Sequence, residues 1–353
     1  MTAPRTPTAD RAEQPAGTTT PATTGRAMRG RRRRGQRVAW VFIGPLVLVF
    51  AGFYLWPAVQ TVLSSLFEWS LLAPWDPADT STWYPVGTAN YTTALGADEF
   101  WNAAFNSLVW LAVFPVLVTG FALLVSVLIW HLGRLAPLFR TVFILPMTIS
   151  LAAAGVIWSF VYNSDPDVGL LNAVLRALRL DFAIDWGPLH VRTGEWLADV
   201  GYLDLGFAEL RLVNLSLILP AVWAFTGFGV VTYTAGLSSL PGELVDSARI
   251  DGCRARQVVR YVLIPHLRKP LIITYVVSVI FALRTFDIVY VMTEGGPAQD
   301  TTVLALLLWQ QAFAFLTEPK AGVGAAIAVL MSVVMVLLAY PYLRSLMGRG
   351  ESR

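Results

Sequence analysis

The chain has 353 residues, of which 56% are hydrophobic and only 14% are charged, with a net charge of +3. This balance excludes an ordinary soluble globular protein and is typical of a protein that crosses a membrane several times. The single cysteine, Cys253, excludes an internal disulfide.

Residues 1–37 form a polar and basic N-terminal segment. The part before Arg26 is rich in Thr, Ala and Pro, a composition that predicts disorder. The arginine-rich run at 26–37 could contact nucleic acid, but it directly precedes a long apolar stretch. Such a run is typical of a cytoplasmic flank that is attracted to anionic lipid. We therefore expect a disordered cytoplasmic tail whose partner is membrane lipid and not nucleic acid.

Six apolar stretches approach or exceed the length of about 20 residues that a helix needs to cross a bilayer. Polar loops separate them, and they lie at 38–67, 103–130, 141–162, 212–240, 271–293 and 321–343. The sequence therefore predicts an all-α polytopic membrane protein with six transmembrane helices. We assign the membrane domain to 38–346 and a cytoplasmic tail to 347–353.

The positions of Lys and Arg in short loops predict the orientation of the spans. The N-terminal run, the linker with Arg134 and Arg140, the loop at 240–270 and the C-terminus are basic and lie on alternate sides of the spans. The intervening loops are acidic or poor in positive charge. We therefore expect both termini in the cytoplasm. The role of the loop at 164–211 stays open, as does the choice between an interfacial and a re-entrant helix at 301–316.

Sites for chemistry are scarce. The sequence has no G-x-x-x-x-G-K-[ST] phosphate loop, and its three histidines are isolated from one another. We therefore predict no catalytic residues, no metal and no cofactor. Two charges, Arg284 and Asp287, fall within the fifth span and are three residues apart. On one helix face they could pair with each other or serve transport.

The loop at 240–270 carries a distinct local pattern. Leu244, Val245 and Ala248 predict a short helix after Pro241, and Gly252 allows the chain to break and reverse. A second apolar stripe, Val258, Val259, Val262 and Leu263, then predicts another helix. The pattern indicates a helix–glycine–helix unit that projects from the membrane domain.

This unit resembles the E-A-A loop in membrane subunits of binding-protein-dependent ABC importers, which reads E-A-A, three residues, Gly, nine residues, I-x-L-P. Here Asp246-Ser247-Ala248, Gly252 and Val262-Leu263-Ile264-Pro265 keep every spacing, with four conservative exchanges. The resemblance implies contact with an ATPase subunit. The residues that it implies for this contact are Glu243, Asp246, Ser247, Ala248, Asp251, Gly252, Val262, Ile264 and Pro265.

Further motifs resemble the carbohydrate branch of these importers. Phe139-Arg140-Thr141 before Leu145-Pro146 resembles the start of the third core helix, and Gly169-Leu170-Leu171-Asn172 resembles the G-x-x-N motif of the following loop. The branch stretch FD-x-(I/V)-(Y/W)-x-x-T-x-G-G-P is matched by Phe286-Asp287, Tyr290, Thr293 and the outer-loop motif Gly295-Gly296-Pro297. Measured from these motifs, the resemblance places the substrate path at Trp223, Phe228, Ser278, Thr285, Asp287 and Tyr290.

The resemblance implies a type I importer permease fold and one permease subunit of a sugar importer in the bacterial plasma membrane. Its partners would be a second permease subunit, a cytoplasmic ABC ATPase dimer that hydrolyses ATP, and an extracellular solute-binding protein that delivers the carbohydrate. Two alternatives stay open: a channel or secondary transporter that works alone, and an ABC importer for a solute other than sugar.

The predicted orientation can be checked by labelling. A Pro85→Cys variant should react with an impermeant thiol reagent in sealed cells, because the loop at 67–103 is expected outside. Cys253 should react only after permeabilisation, which provides the internal control. The reverse labelling pattern would overturn the orientation that we infer from arginine placement.

Overall fold

The chain divides into two units, and both contain helices. Residues 1–59 form the first unit, which is helical from residue 40, and 60–353 form the second. The predicted N-terminal tail, 1–37, lies outside the described residues. So does the predicted C-terminal tail, 347–353, except for Met347. The computed structural model describes residues 40–180, 183–186, 189–198, 200–206, 209–314 and 320–347.

Helices dominate the described chain, and we number them in chain order. Several contain short 3-10 or π-helical turns that do not interrupt them. They are α1 (Trp40–Ser64), α2 (Ala89–Gly96), α3 (Asp98–His131), α4 (Gly133–Thr148), α5 (Leu151–Val161), α6 (Leu170–Leu178), α7 (Val213–Ser238), α8 (Gly242–Ile250), α9 (Ala255–His266), α10 (Arg268–Leu283), α11 (Asp287–Thr293), α12 (Leu304–Ala314) and α13 (Ala321–Met347).

Four of these helices, α1, α3, α7 and α13, are long and apolar enough to cross a membrane. Two bent pairs add to this number if each is one span. The axes of α4 and α5 meet at 102°, and those of α9 and α10 meet at 69°. The described chain thus has four to six spans, and the predicted polytopic, all-α architecture is confirmed.

Two predicted spans are not single helices. The third, expected at 141–162, breaks at Ile149 and Ser150, and the Ser150 hydroxyl caps α5 by accepting a hydrogen bond from the Ala153 N–H at 3.2 Å. Pro146, which cannot donate a backbone hydrogen bond, precedes this break. The fifth, expected at 271–293, breaks between α10 and α11, where neither Pro nor Gly marks the sequence.

The second break corrects the expectation for the two charges of the fifth span. Arg284 follows the last residue of α10, whereas Asp287 begins α11, so the two residues do not share a helix face. No salt bridge joins them among the residues that the structure describes. The acidic Asp287 instead lies in the first turn of α11, where the helix dipole favours negative charge.

The loop at 164–211 contains a small sheet that the sequence did not predict. Four antiparallel strands follow one another in the order β1 (Ala183–Trp186), β2 (Leu189–Arg192), β3 (Gly201–Asp204) and β4 (Glu209–Arg211). In register, Leu189 opposes Leu203, which in turn opposes Leu210. Strands of three or four residues are too short for a clear period-two pattern, which explains the missed prediction.

Asn172 connects α6 to the chain around it. Its side-chain N–H groups donate to the carbonyl oxygens of Asn163 and Gly194, both at 2.8 Å. Its carbonyl oxygen accepts from the indole N–H of Trp196 at 2.8 Å. This buried amide, part of the G-x-x-N motif, therefore joins the end of the preceding segment at Asn163 to two points of the 164–211 loop.

The core of the second unit is built on α3 and α7, which lie side by side in the same direction. At the start of α7 and in the third turn of α3, the Asn214 amide N–H donates to the Asn106 side-chain oxygen at 3.1 Å. Further along, a Cβ atom at Gly229 would lie 2.5 Å from the Cβ of Ala122, so only glycine allows this approach. We call the end with the β-sheet the sheet end and the opposite end the α8 end.

Each end of the α3–α7 pair has its own apolar cluster. At the sheet end the cluster includes Trp110, Phe114 and Leu217 together with Ile288 of α11. The cluster at the α8 end includes Ala122 and Tyr233 together with Leu263 and Leu267. In a membrane the gain comes from close van der Waals packing, because lipid tails are as apolar as these side chains.

A buried amide network holds the irregular segment before α12. The Asn106 amide donates to the Thr302 carbonyl at 2.9 Å, and the Asn214 amide donates to the Asp300 carbonyl at 3.0 Å. The Ser107 hydroxyl accepts from the Leu304 N–H at 2.9 Å. Non-helical backbone needs such partners wherever water is excluded. The network therefore fixes this segment against α3 and α7.

The amide network can be tested by an Asn106→Leu variant. This change removes the donor to the Thr302 carbonyl and one of the acceptors of the Asn214 amide, which should cost about 1–3 kcal/mol. We expect a lower Tm for the purified protein. Leu108→Ala, at a side chain that is 58% exposed on the same helix, is the control. An unchanged Tm in Asn106→Leu would contradict the structural role of the network.

Candidate functional site

The predicted helix–glycine–helix unit is present and consists of α8 and α9. Gly252 has a φ of +81°, in the left-handed region that favours glycine. The N–H of Gly252 donates to the Arg249 carbonyl and the N–H of Cys253 to the Ala248 carbonyl, both at 3.0 Å. These two bonds form a Schellman motif, which ends α8 and turns the chain toward α9.

The unit is anchored to the membrane helices by two valines. Val245 of α8 is 5% exposed and Val258 of α9 is 4% exposed. Both join the cluster at the α8 end, with Tyr233 of α7 and Leu267 at the junction of α9 and α10. These valines thus place α8 and α9 in the same apolar cluster as the ends of α7 and α10.

The residues predicted to contact an ATPase divide into exposed and half-buried groups. Asp246 lies 3.8 Å from Arg249 in an exposed ion pair, and the Ser247 hydroxyl donates to the Glu243 carbonyl at 2.7 Å. Exposed pairs of this kind contribute little to stability. The exposed residues of the set are Glu243, Asp246, Ser247, Asp251, Gly252 and Pro265, and the half-buried ones are Ala248, Val262 and Ile264.

Two exposed apolar residues of this unit were missed by sequence reasoning. Ile250 at the end of α8 is 86% exposed, and Tyr261 of α9 is 66% exposed. Large apolar side chains in such positions are typical of anchors in protein interfaces. The sequence signal was present, because both residues fall outside the apolar stripes of their helices.

The Gly295-Gly296-Pro297 motif forms a tight loop at the sheet end, between α11 and α12. The hydroxyl groups of Thr293 and Thr301 are 2.8 Å apart, and Thr301 also donates to the Gly296 carbonyl at 2.8 Å. The Thr302 hydroxyl donates to the Gly295 carbonyl at 3.3 Å. The threonines of the motif thus fix the backbone of the loop, which the amide network then attaches to α3 and α7.

Arg211 of β4 connects the sheet to this loop. Its guanidinium lies 3.5 Å from the Asp300 carboxylate and 3.0 Å from the Glu209 carboxylate, and it stacks over the Tyr202 ring at 5.5 Å. Partial burial raises the pKa of Asp300; Arg211 opposes this shift and Glu209 adds to it. The sheet and the loop are therefore coupled through one arginine.

A cleft of about 340 Å³ lies next to the break between α10 and α11. It brings together Thr285 and Asp287 of the predicted substrate path. Two residues of opposite charge and several aromatic rings border it. Its lining includes Phe225, Phe281, Arg284, Thr285, Phe286 and Asp287. The rings of Phe225 and Phe281 are 4.9 Å apart, so one wall of the cleft is aromatic.

The other predicted path residues do not line this cleft, but two of them pack against aromatic residues that do. Tyr290 stacks on Phe286 at 5.3 Å, and Phe228 packs against Phe225 at 5.6 Å. Trp223 is half-buried and packs edge-on against Trp158 at 5.9 Å. Ser278 is fully buried and donates to the Thr274 carbonyl within its own helix. The Thr285 hydroxyl likewise donates to a backbone carbonyl, that of Phe281, at 3.2 Å.

Comparisons with known proteins agree with this geometry. A family model described as "binding-protein-dependent transport system inner membrane component" matches residues 105–345. The alpha-glucoside transport system permease protein AglF of Rhizobium meliloti (strain 1021) is 31% identical, over 84% of this chain and 79% of that protein. The trehalose/maltose transport system permease protein MalF of Thermococcus litoralis is 28% identical, over 88% of this chain and 94% of that protein.

A solved structure shows the same fold. It is the crystal structure of a bacterial ABC transporter involved in the import of the acidic polysaccharide alginate. The TM-score is 0.68 at 16% sequence identity, over 93% of this chain and 100% of the compared chain. The predicted type I importer permease fold is confirmed by this likeness and by the family match.

The spans, the two bent helix pairs and the protruding α8–α9 unit define an integral membrane subunit of a transport system. Because the family model covers more than half of the sequence, the chain belongs to the family of inner membrane components of binding-protein-dependent transport systems.

Proposed function

We propose that this chain is one permease subunit of an ABC importer that carries a sugar or oligosaccharide across the bacterial plasma membrane. The names of its relatives support the substrate class, since they include permeases for alpha-glucosides, trehalose/maltose and xylose/arabinose. The partners that we propose are a second permease subunit, an extracellular solute-binding protein and a cytoplasmic ATPase dimer. Both chain termini then lie in the cytoplasm.

The geometry of α8 and α9 is the observation that carries this proposal. The unit exposes Ile250 and Tyr261 beside several arginines, and Val245 and Val258 anchor it in the membrane helices. An apolar anchor with guanidinium groups around it suits a partner whose groove is apolar and rimmed by carboxylates. ATP binding and hydrolysis on that partner supply the free energy, and this chain transmits the movement to α7 and α10.

The docking role predicts the effect of changes in α8 and its cap. Gly252→Leu places a side chain at a φ of +81°, which costs about 1–2 kcal/mol and should misdirect α9. Asp246→Lys puts a cation next to Arg249, and Ile250→Ala removes the apolar anchor. We expect each change to lower sugar-dependent ATPase activity in the reconstituted complex by at least roughly tenfold, equivalent to about 1.4 kcal/mol.

The control for this experiment is Leu108→Ala, at a side chain of α3 that is 58% exposed and lies outside α7, α8, α9 and α10. Normal sugar-dependent ATPase activity in the Gly252→Leu or Asp246→Lys complex would remove the docking role. A chain that transports solute when purified without any ATPase would instead support a channel or a secondary transporter.

The cleft beside the α10–α11 break is the best candidate for a section of the sugar path. Sugars bind to aromatic faces and to hydrogen-bonding side chains, and the cleft offers Phe225 and Phe281 beside Thr285 and Asp287. The cleft borders the start of α11, and the Gly295-Gly296-Pro297 loop follows the end of the same helix, which supports entry from the sheet end, where the solute-binding protein would deliver its ligand. We place Trp223, Phe228, Ser278 and Tyr290 along the same path as proposals.

The path proposal predicts transport defects that leave the complex assembled. Trp223→Ala removes an aromatic face, and Thr285→Val removes a hydroxyl group. Loss of one polar partner typically costs about 1–3 kcal/mol, so we expect a roughly tenfold fall in uptake for Thr285→Val. Co-purification with the ATPase should be unchanged. Wild-type uptake kinetics in both variants at equal expression would exclude these residues from the path.

A non-sugar solute is the second candidate for the same importer. Two relatives are named for the transport of osmoprotective compounds and of sn-glycerol 3-phosphate. Uptake competition separates the two: excess maltose or trehalose should inhibit a sugar importer, whereas glycerol 3-phosphate should inhibit an importer of that class.

A further inference from the structure

A cavity of about 250 Å³ lies at the α8 end, where α3 and α7 end and α4 begins. Residues from all three helices line it, and none of them belongs to α8 or α9. They include Ile129 and Trp130 of α3, Arg140 of α4, and Thr234 and Ser238 of α7. No residue of the docking unit lines the cavity, although Ile129 and Leu237 belong to the same apolar cluster as Val245 and Val258.

The polar groups around this cavity are mainly free donors. The Arg140 guanidinium has no hydrogen bond or salt bridge to any described residue, and the indole N–H of Trp130 has no acceptor there either. The hydroxyl groups of Thr234 and Ser238 are already used, because they donate to carbonyls of their own helix at 2.7 and 2.8 Å. No carboxylate of the described residues lines the cavity. Free donors without an acidic partner suit an anionic ligand with acceptor oxygens.

The surroundings of the cavity suit a ligand that is apolar at one end. Val231 is 43% exposed and lies three residues before Thr234 and seven before Ser238, on the same face of α7. One exposed apolar side chain therefore lies beside the cavity, about one turn closer to the middle of α7. Trp130 lies in the last turn of α3, and the His131 ring packs edge-on against it at 4.9 Å. Tryptophan is enriched at such positions, because the ends of a span lie at the membrane surface.

We propose that this cavity binds an anionic phospholipid of the adjacent leaflet, with the phosphate on Arg140 and Trp130 and an acyl chain along Val231. A phosphate diester supplies the acceptor oxygens that Arg140 and Trp130 require, and the acyl chain covers the exposed valine. The basic N-terminal run of the same chain would be repelled by Arg140, so it does not suit the site. The inference is independent of the transported solute.

Native mass spectrometry can test this site on the full-length protein in nanodiscs of phosphatidylcholine that contain phosphatidylglycerol. The wild type should retain phosphatidylglycerol after release from the disc. Arg140→Gln should retain roughly tenfold less, as expected for the loss of a charge-assisted hydrogen bond. Arg140→Lys, which keeps the charge, should retain most of it, and Trp130→Phe should show a smaller loss.

Arg134→Gln is the matched control, because Arg134 lies in the same linker but does not line the cavity. Equal retention in Arg140→Gln and the wild type, or an equal loss in Arg134→Gln, would overturn the proposal. Full displacement of the lipid by sn-glycerol 3-phosphate would also overturn it, because a soluble phosphate ester would then be the ligand.

Loss of a bound ATPase subunit from Arg140→Gln, with the lipid still retained, would assign the guanidinium to that partner instead. If Arg140→Gln fails to fold, Trp130→Phe decides, since unchanged retention in that variant contradicts the proposal.

Discussion

The close contact between Ala122 of α3 and Gly229 of α7 is the constraint on which the described structure depends. Only a glycine at position 229 allows the two backbones to approach, since any Cβ atom would meet that of Ala122 at 2.5 Å. The two helices then stay side by side from the Asn106–Asn214 hydrogen bond to the cluster around Tyr233. Both apolar clusters, and therefore both functional ends, are built on this pair.

The α3–α7 pair gives the chain a rigid connection between its two ends. At the sheet end, Asn106 and Asn214 hold the backbone of the loop that precedes α12, and Arg211 links this loop to the sheet. At the α8 end, Val245 belongs to the apolar cluster that also contains Tyr233 of α7. Under the proposed function, a movement imposed on α8 reaches the outer loop through packed helices, which is how packed helices transmit switching movements.

The interruption between α10 and α11 places irregular backbone next to a cleft. Such backbone persists at membrane depth only where protein or a water-filled cavity surrounds it. Here the break exposes Asp287 and Arg284 to the cleft, while Ile288 and Val289 pack into the core beside it. The two charges that looked like an ion pair on one helix face are therefore separate groups that border a shared space. This arrangement agrees with the general rule that intramembrane charges mark functional positions.

The sequence by itself determined the apolar spans and the α8–Gly252–α9 unit, because both follow from local rules. The bilayer fixes the length of a span, and Gly252 with its neighbouring apolar stripes sets a turn within a few residues. Only the tertiary structure decided the break after Leu283 and the sheet at 183–211. The amide network was likewise hidden, since Asn106 and Thr302 are 196 residues apart in the chain. These features depend on contacts between distant segments, and no local period or turn residue encodes such contacts.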